Sequence, residues 1–107
     1  MSNVSFVYSK VFIKKAKQLK KKHPSLVNEL HHLELELSKN LKLGIDLGNG
    51  VFKIRLAVKS KGKGKSGGYR VITYLQTENQ VNLIYIYDKS EEATITKADI
   101  QKIIDSL

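Results

Sequence analysis

Residues 51–75 restrict the possible folds more than any other stretch, because both ends alternate with a period of two and the middle cannot pack. Phe52, Ile54, Leu56 and Val58 fall on one side of an extended chain, and Lys53, Arg55, Ala57 and Lys59 on the other. Further on, Tyr69, Val71, Thr73 and Leu75 oppose Arg70, Ile72 and Tyr74. Successive side chains of a strand point to opposite faces, so each end reads as a strand, the first half-buried with cations on its open face. Between them, Lys61-Gly62-Lys63-Gly64-Lys65-Ser66-Gly67-Gly68 offers no apolar side chain to a core and reads as the loop of a β-hairpin. The stretch carries seven cations (Lys53, Arg55, Lys59, Lys61, Lys63, Lys65 and Arg70) and no Asp or Glu. It therefore predicts a sheet that presents a cationic, phosphate-seeking surface.

The flanking segments supply what such a sheet packs against. Residues 4–8 form a β-prone opening run, and Ser9 can cap a helix over 10–22 whose apolar side is Phe12, Ile13, Ala16 and Leu19. Lys10, Lys14, Lys17 and Lys21 make a lysine stripe on its opposite face. His23-Pro24-Ser25 breaks the helix, since proline disfavours helical geometry at the residue before it. Leu26, Leu30, Leu33 and Leu37 then recur at helical spacing, completing an αα-hairpin. Gly44, Gly48, Asn49 and Gly50 punctuate the entry to the sheet, and Thr77-Glu78-Asn79-Gln80 reads as a turn. Val81–Tyr87 is apolar almost throughout, as expected of a strand covered on both faces. Thr96 caps a last helix, with Asp99 three residues on and Ile100, Ile103, Ile104 and Leu107 as its stripe. The expected fold is α+β: a small antiparallel sheet with an N-terminal αα-hairpin and a C-terminal helix packed on it, ordered β-α-α-β-β-β-α in a single domain, 1–107.

Charge narrows the partners. Nineteen Lys+Arg against ten Asp+Glu give a formal +9, which in so small a chain favours an anionic partner. No cysteine is present, so disulfides and thiolate metal sites are excluded, in keeping with a cytoplasmic protein. Lys10, Lys14 and Lys15 interrupt any signal-peptide core, and no run is long enough to span a membrane, so no membrane partner is expected.

Two nucleotide motifs fail on inspection. Gly64-Lys65-Ser66 ends like a Walker A loop, but the motif needs glycine where Lys59 stands. Gly62, Gly64 and Gly67 match G-x-G-x-x-G, yet a strand follows rather than the helix that would hold a pyrophosphate. His31 and His32 point about 100° apart on a helix and make no bidentate metal site. Neither a metal nor a small-molecule cofactor is expected. Arg55 and Arg70 lie on the two strands the loop joins, and guanidinium groups brought together there could bind phosphate and stabilise charge growing on it.

Three strings carry a family resemblance: Phe52-Lys53-Ile54-Arg55-Leu56-Ala57, the loop continued through Tyr69-Arg70-Val71-Ile72, and Leu83-Ile84-Tyr85-Ile86-Tyr87-Asp88-Lys89-Ser90-Glu91. Together they resemble the RelE/ParE superfamily of type II toxins, most nearly its HigB-like branch, over essentially the whole chain. The resemblance implies a toxin held inactive by a cognate antitoxin, one segment of which is expected to cover residues 53–70. It also implies a ribosome-dependent mRNA endonuclease that needs no metal and cleaves by attack of a ribose 2′-hydroxyl on the neighbouring phosphate. Carried over residue by residue, Arg55 and Arg70 would hold the scissile phosphate, with Lys53 contributing beside them. Tyr87 or Lys89 would serve proton transfer, or Tyr87 would stack on a base. Lys59, Lys61, Lys63 and Lys65 would bind RNA backbone. A ParE-like gyrase inhibitor and a non-catalytic RNA- or ribosome-binding module stand as alternatives, because one fold hosts more than one activity.

Overall fold

A computed structural model of the chain describes residues 4–59, 68–92 and 94–107; Lys61, Lys63 and Lys65 lie outside them. The elements are β1 (Ser5–Tyr8), α1 (Lys10–Lys22), α2 (Leu26–Lys39), β2 (Ile45–Gly48), β3 (Val51–Leu56), β4 (Tyr69–Thr77), β5 (Gln80–Asp88) and α3 (Lys97–Asp105). One sheet holds all five strands in the order β1-β5-β4-β3-β2. This is the expected α+β fold with two changes. β1 pairs with β5 in parallel, Ser5 opposite Gln80 and Tyr8 opposite Leu83, so the sheet is mixed rather than purely antiparallel. A fifth strand, β2, stands where the sequence suggested only turn residues.

β2 exists because of the turn that follows it. Gly48 pairs with Val51 across a two-residue loop in which Asn49 (φ 55°) and Gly50 (φ 80°) both take positive φ. A tight hairpin turn of that hand demands both, and Asn-Gly supplies them at low cost. Asp46 adds a local brace, its carboxylate accepting from the Gly48 N–H at 2.7 Å.

The helix caps follow the sequence. Ser9 Oγ accepts from Phe12 N at 3.0 Å at the start of α1, and Thr96 Oγ1 accepts from Asp99 N at 3.1 Å at the start of α3. Ser9 also donates to the carbonyl of Ile84 at 2.8 Å. That carbonyl belongs to a β5 bulge, because Ile72 pairs with Tyr85 while Thr73 pairs with Leu83, leaving Ile84 as the extra residue.

Helices cover both faces of the sheet, unequally. On one, Phe12, Leu19, Leu26, Leu33 and Leu37 of the helical hairpin pack on Ile54, Leu56, Val71, Leu83 and Ile86. On the other, Ile100 of α3 packs with Val51, Ile72 and Ile84. β5 is covered on both faces as expected, although β4 is the central strand. Ile13 and Leu107, assigned to apolar stripes, are instead 43% and 49% exposed.

Two tyrosines on the hairpin side, Tyr8 half-buried and Tyr69 fully buried, have perturbed phenols. Burial raises the Tyr8 pKa, and Glu34, which accepts the Tyr8 hydroxyl hydrogen bond, raises it further. Tyr69 is pushed up to about 12 by burial, then by the charges of Asp88 and Glu91. A phenol with a higher pKa folded than unfolded contributes stability that is complete below its unfolded value and lost as pH rises through the folded one.

Two outcomes follow. Leu37→Ala, at a fully buried position, should lower unfolding free energy by about 2–5 kcal/mol in denaturant melts, and Leu35→Ala, at 62% exposure, by no more than about 0.5 kcal/mol. The melting temperature should hold up to pH 10.0 and fall between there and about 12. Tyr8→Phe and Tyr69→Phe should each reduce that fall; thermal melts across the range measure it.

Candidate phosphate-binding face

The β3-β4-β5 register decides which side chains meet. Arg55 lies directly opposite Arg70, and Arg70 directly opposite Tyr87. Directly opposed residues on antiparallel strands share a face, with Cα atoms about 4.5–5.5 Å apart. Arg55, Arg70 and Tyr87 therefore form a row across three strands. The next row is Lys53, Ile72 and Tyr85, two residues and about 7 Å along. Ile72 marks where this face passes into the α3 core. α3 thus covers one part of the face, and the arginine row lies beyond it.

Burial differs sharply along the row. Arg55 is exposed and Lys53 half-buried, whereas Arg70 is 3% exposed and Tyr87 1%. The expectation of two surface arginines is corrected: one is exposed and the other is enclosed on the central strand, its Nη1 donating to the Tyr69 carbonyl at 3.3 Å. Base stacking on Tyr87 is corrected too, since a ring this buried has no open face. Lys89 is exposed just past β5, its backbone N–H donating to the Gly68 carbonyl at 3.3 Å.

Acidic and imidazole groups approach from a direction the sequence did not indicate. β2 pairs with β3 only as far as Lys53, leaving the rest of that edge facing a cleft of about 650 Å³. Lys53, Arg55 and Lys59 line it together with Glu29, His32 and Glu36 of α2. Glu29 accepts the Lys59 backbone N–H at 3.3 Å. The stretch from Lys53 to Lys59 lacks acids of its own, but α2 brings two into its cleft. Glu29, His32 and Glu36 are at i, i+3 and i+7, so helical spacing gives their shared face; only tertiary packing gives the strand opposite them.

A second group missed in the sequence borders the row. Lys15 Nζ donates to the Tyr85 hydroxyl at 2.8 Å, pairs with Glu92, and lies 4.2 Å from the centroid of the Tyr85 ring. Tyr85 donates to Glu92 Oε2 at 2.9 Å. Burial raises the Tyr85 pKa and Glu92 adds to the rise, against the opposing effect of Lys15. Burial works against the Lys15 charge, but the bonds to Glu92 and Tyr85 prevail and its pKa is raised. Both groups thus keep their protons, which suits them to holding rather than to proton exchange. What they hold is the Tyr85 ring, 5.9 Å from that of Tyr87.

The face can therefore offer an exposed guanidinium, a second cation enclosed beside it, a lysine one row away and a phenol at the end of the row. Side chains of these types have the charge and donor geometry that binding and polarising a phosphodiester requires. Comparison with known families agrees with this architecture: residues 6–105 match the family described as RelE toxin of the RelE/RelB toxin-antitoxin system. That match spans nearly the whole chain, from within β1 to the end of α3. The chain belongs to the RelE toxin family, and is a toxin of a toxin-antitoxin system.

Proposed function

We propose that this toxin is a ribosome-dependent mRNA endonuclease of the HigB-like kind, acting in the cytoplasm as a single domain over residues 1–107. The observation that carries the reading is the register setting Arg55 opposite Arg70 and Arg70 opposite Tyr87. A ribose 2′-hydroxyl attacks the adjacent phosphorus, the P–O5′ bond breaks, and the products are a 2′,3′-cyclic phosphate and a free 5′-hydroxyl. Charge builds on the non-bridging oxygens in the transition state, where fixed cations are most effective.

Arg55, as the exposed member, grips the scissile phosphate. Arg70 contributes its field from the adjacent strand, where low exposure limits screening by solvent. Lys53 adds charge one row away. The two proton transfers, from the 2′-hydroxyl and to the leaving 5′-oxygen, are assigned to the end of β5, where Tyr87 stands in the row and Lys89 follows. Lys59 and the loop lysines Lys61, Lys63 and Lys65 contact the RNA backbone and carry no sequence information. The reaction as drawn runs on positioning and fixed charge from these side chains.

The test maps mRNA 5′ ends by primer extension after induced expression. Wild type should give new ends. Arg55→Ala, at an exposed position that the fold does not depend on, should reduce them by about 10²–10³-fold. Arg70→Ala should do the same, with its melting temperature measured because the residue is buried. Growth arrest with no new ends, or ends unchanged in both variants, would overturn the nuclease reading. In that event, inhibition of supercoiling by the purified chain would assign gyrase as the target.

A further inference from the structure

The cleft beside Arg55 is larger than a phosphate requires. It holds about 650 Å³ between α2 and the edge of β3. That edge is unsaturated. Leu75 N donates to the Gly50 carbonyl at 2.8 Å. Backbone groups of successive residues in an antiparallel pair point alternately toward the partner strand and away from it. Gly50, Phe52, Ile54 and Leu56 therefore bond toward β4, while Val51, Lys53, Arg55 and Ala57 face the other way. β2 pairs no further than Ile45, opposite Lys53. The N–H and C=O groups of Arg55 and Ala57 thus open onto the cleft with no strand beside them.

Lys59 keeps the same alternation, and its N–H is taken by Glu29 Oε2 at 3.3 Å. That bond sets Glu29 across from the edge and aims a half-buried carboxylate along it. Glu36 also lines the cleft but is exposed, and it lies two helical turns, about 10.5 Å, from Glu29. A single base cannot rest on both. Leu33, Ile54 and Leu56 are buried and give the cleft an apolar floor. Neither of the ion pairs among the described residues, Lys15–Glu92 and Lys22–Glu91, uses a cleft residue.

We propose that this cleft seats one guanine nucleotide of the RNA, its phosphate on Arg55 and its base over Ala57 against Glu29. Guanine is the RNA base whose Watson–Crick edge sets two donors, N1–H and N2–H, side by side. An ionised carboxylate only accepts, and Glu29 keeps lone pairs beyond the one given to Lys59, so it takes both donors. The guanine O6 beside them accepts an N–H from the open edge. Adenine and cytosine would turn a ring-nitrogen acceptor toward the carboxylate, and uracil flanks its one donor with two carbonyl oxygens. An extended peptide would pair with the edge but bring no phosphate to Arg55. For RNA as the source of the nucleotide, the proposal rests on the nuclease reading; the preference for guanine rests on the cleft alone.

The experiment follows the backbone amide signals of the isotope-labelled full chain by NMR as ribonucleotides are added, without ribosomes. GMP should shift the Arg55, Ala57 and Lys59 amides at concentrations about tenfold lower than UMP, AMP or CMP. The RNA trinucleotide UGU should bind more tightly than UUU, and more tightly than GMP because its further phosphate reaches Lys53 or Lys59. Glu29→Gln keeps an oxygen for the Lys59 N–H but turns an amide donor toward the base. It should erase the guanine preference and leave binding of inorganic phosphate in place. Glu36→Gln should keep the preference, and Arg55→Ala should weaken all four nucleotides alike. Thermal melts matching wild type show that the variants fold. Equal affinity for the four nucleotides, or a guanine preference that survives Glu29→Gln, would overturn the proposal. So would tighter binding of an uncharged extended peptide than of GMP, and free GMP binding as tightly as UGU would overturn RNA as the source. No readout depends on cleavage: a chain that cuts no mRNA can keep the guanine preference, and one without the preference can still cut.

Discussion

Two arginines placed directly opposite each other on neighbouring strands work against the sheet that holds them. Like charges at a cross-strand pair are destabilising. Arg55 and Arg70 nevertheless face each other, and Arg70 is almost fully enclosed. What keeps them there is the other side of the same strands. A slip of one residue between β3 and β4 would turn Ile54, Leu56 and Val71 away from the helical hairpin and expose the largest core of the protein. The register is thus fixed by hydrophobic burial on one face, and the arginine pair on the other face is held by that register. Charge repulsion is a local cost set against a core spread over five elements.

The same logic runs through β5. The bulge at Ile84 lets two consecutive residues serve different neighbours. The Ile84 side chain joins the α3 core, its carbonyl accepts the hydrogen bond from Ser9, and Tyr85 returns to the row beside Lys53. Ser9 caps α1 with the same hydroxyl oxygen. A single serine therefore ties the start of the hairpin to the strand that closes the arginine row. The Lys15-Tyr85-Glu92 cluster makes a second tie, between α1 and the connection that follows β5.

Most of the fold was legible from the chain because its signals are local. Ser9 and Thr96 cap as their positions suggest, Pro24 divides the helices, and the alternation of Phe52–Val58 gives the buried face. What could not be read locally was pairing. β1 carries the same β-prone signal whether it joins the sheet in parallel or antiparallel fashion, and its choice of β5 depends on where α1 returns the chain. β2 was legible in principle, since Asn49-Gly50 is a strong hairpin signal, but four residues with an acid and two glycines nearby do not look like a strand in isolation. For the face, the chain yielded the residue types and the two strands, though not that Arg70 and Tyr87 are enclosed. Burial on a central strand is a property of the neighbours. His32, Glu29 and Glu36 escaped notice because their relation to Arg55 is made only by packing, and Lys15 because it falls between the two stripes of its helix.

The division of one sheet face between α3 and a row of cations has a colloidal consequence. A strand face left uncovered by a helix ordinarily invites another such face to close over it, and small sheet proteins aggregate by that route. Here the part that α3 leaves open is guarded by Lys53 and Arg55, with the Arg70 charge behind them. Two copies brought face to face would press like charges together in a narrow, poorly hydrated gap. The groups that suit the surface to an anionic chain thus also oppose the approach of its own twin.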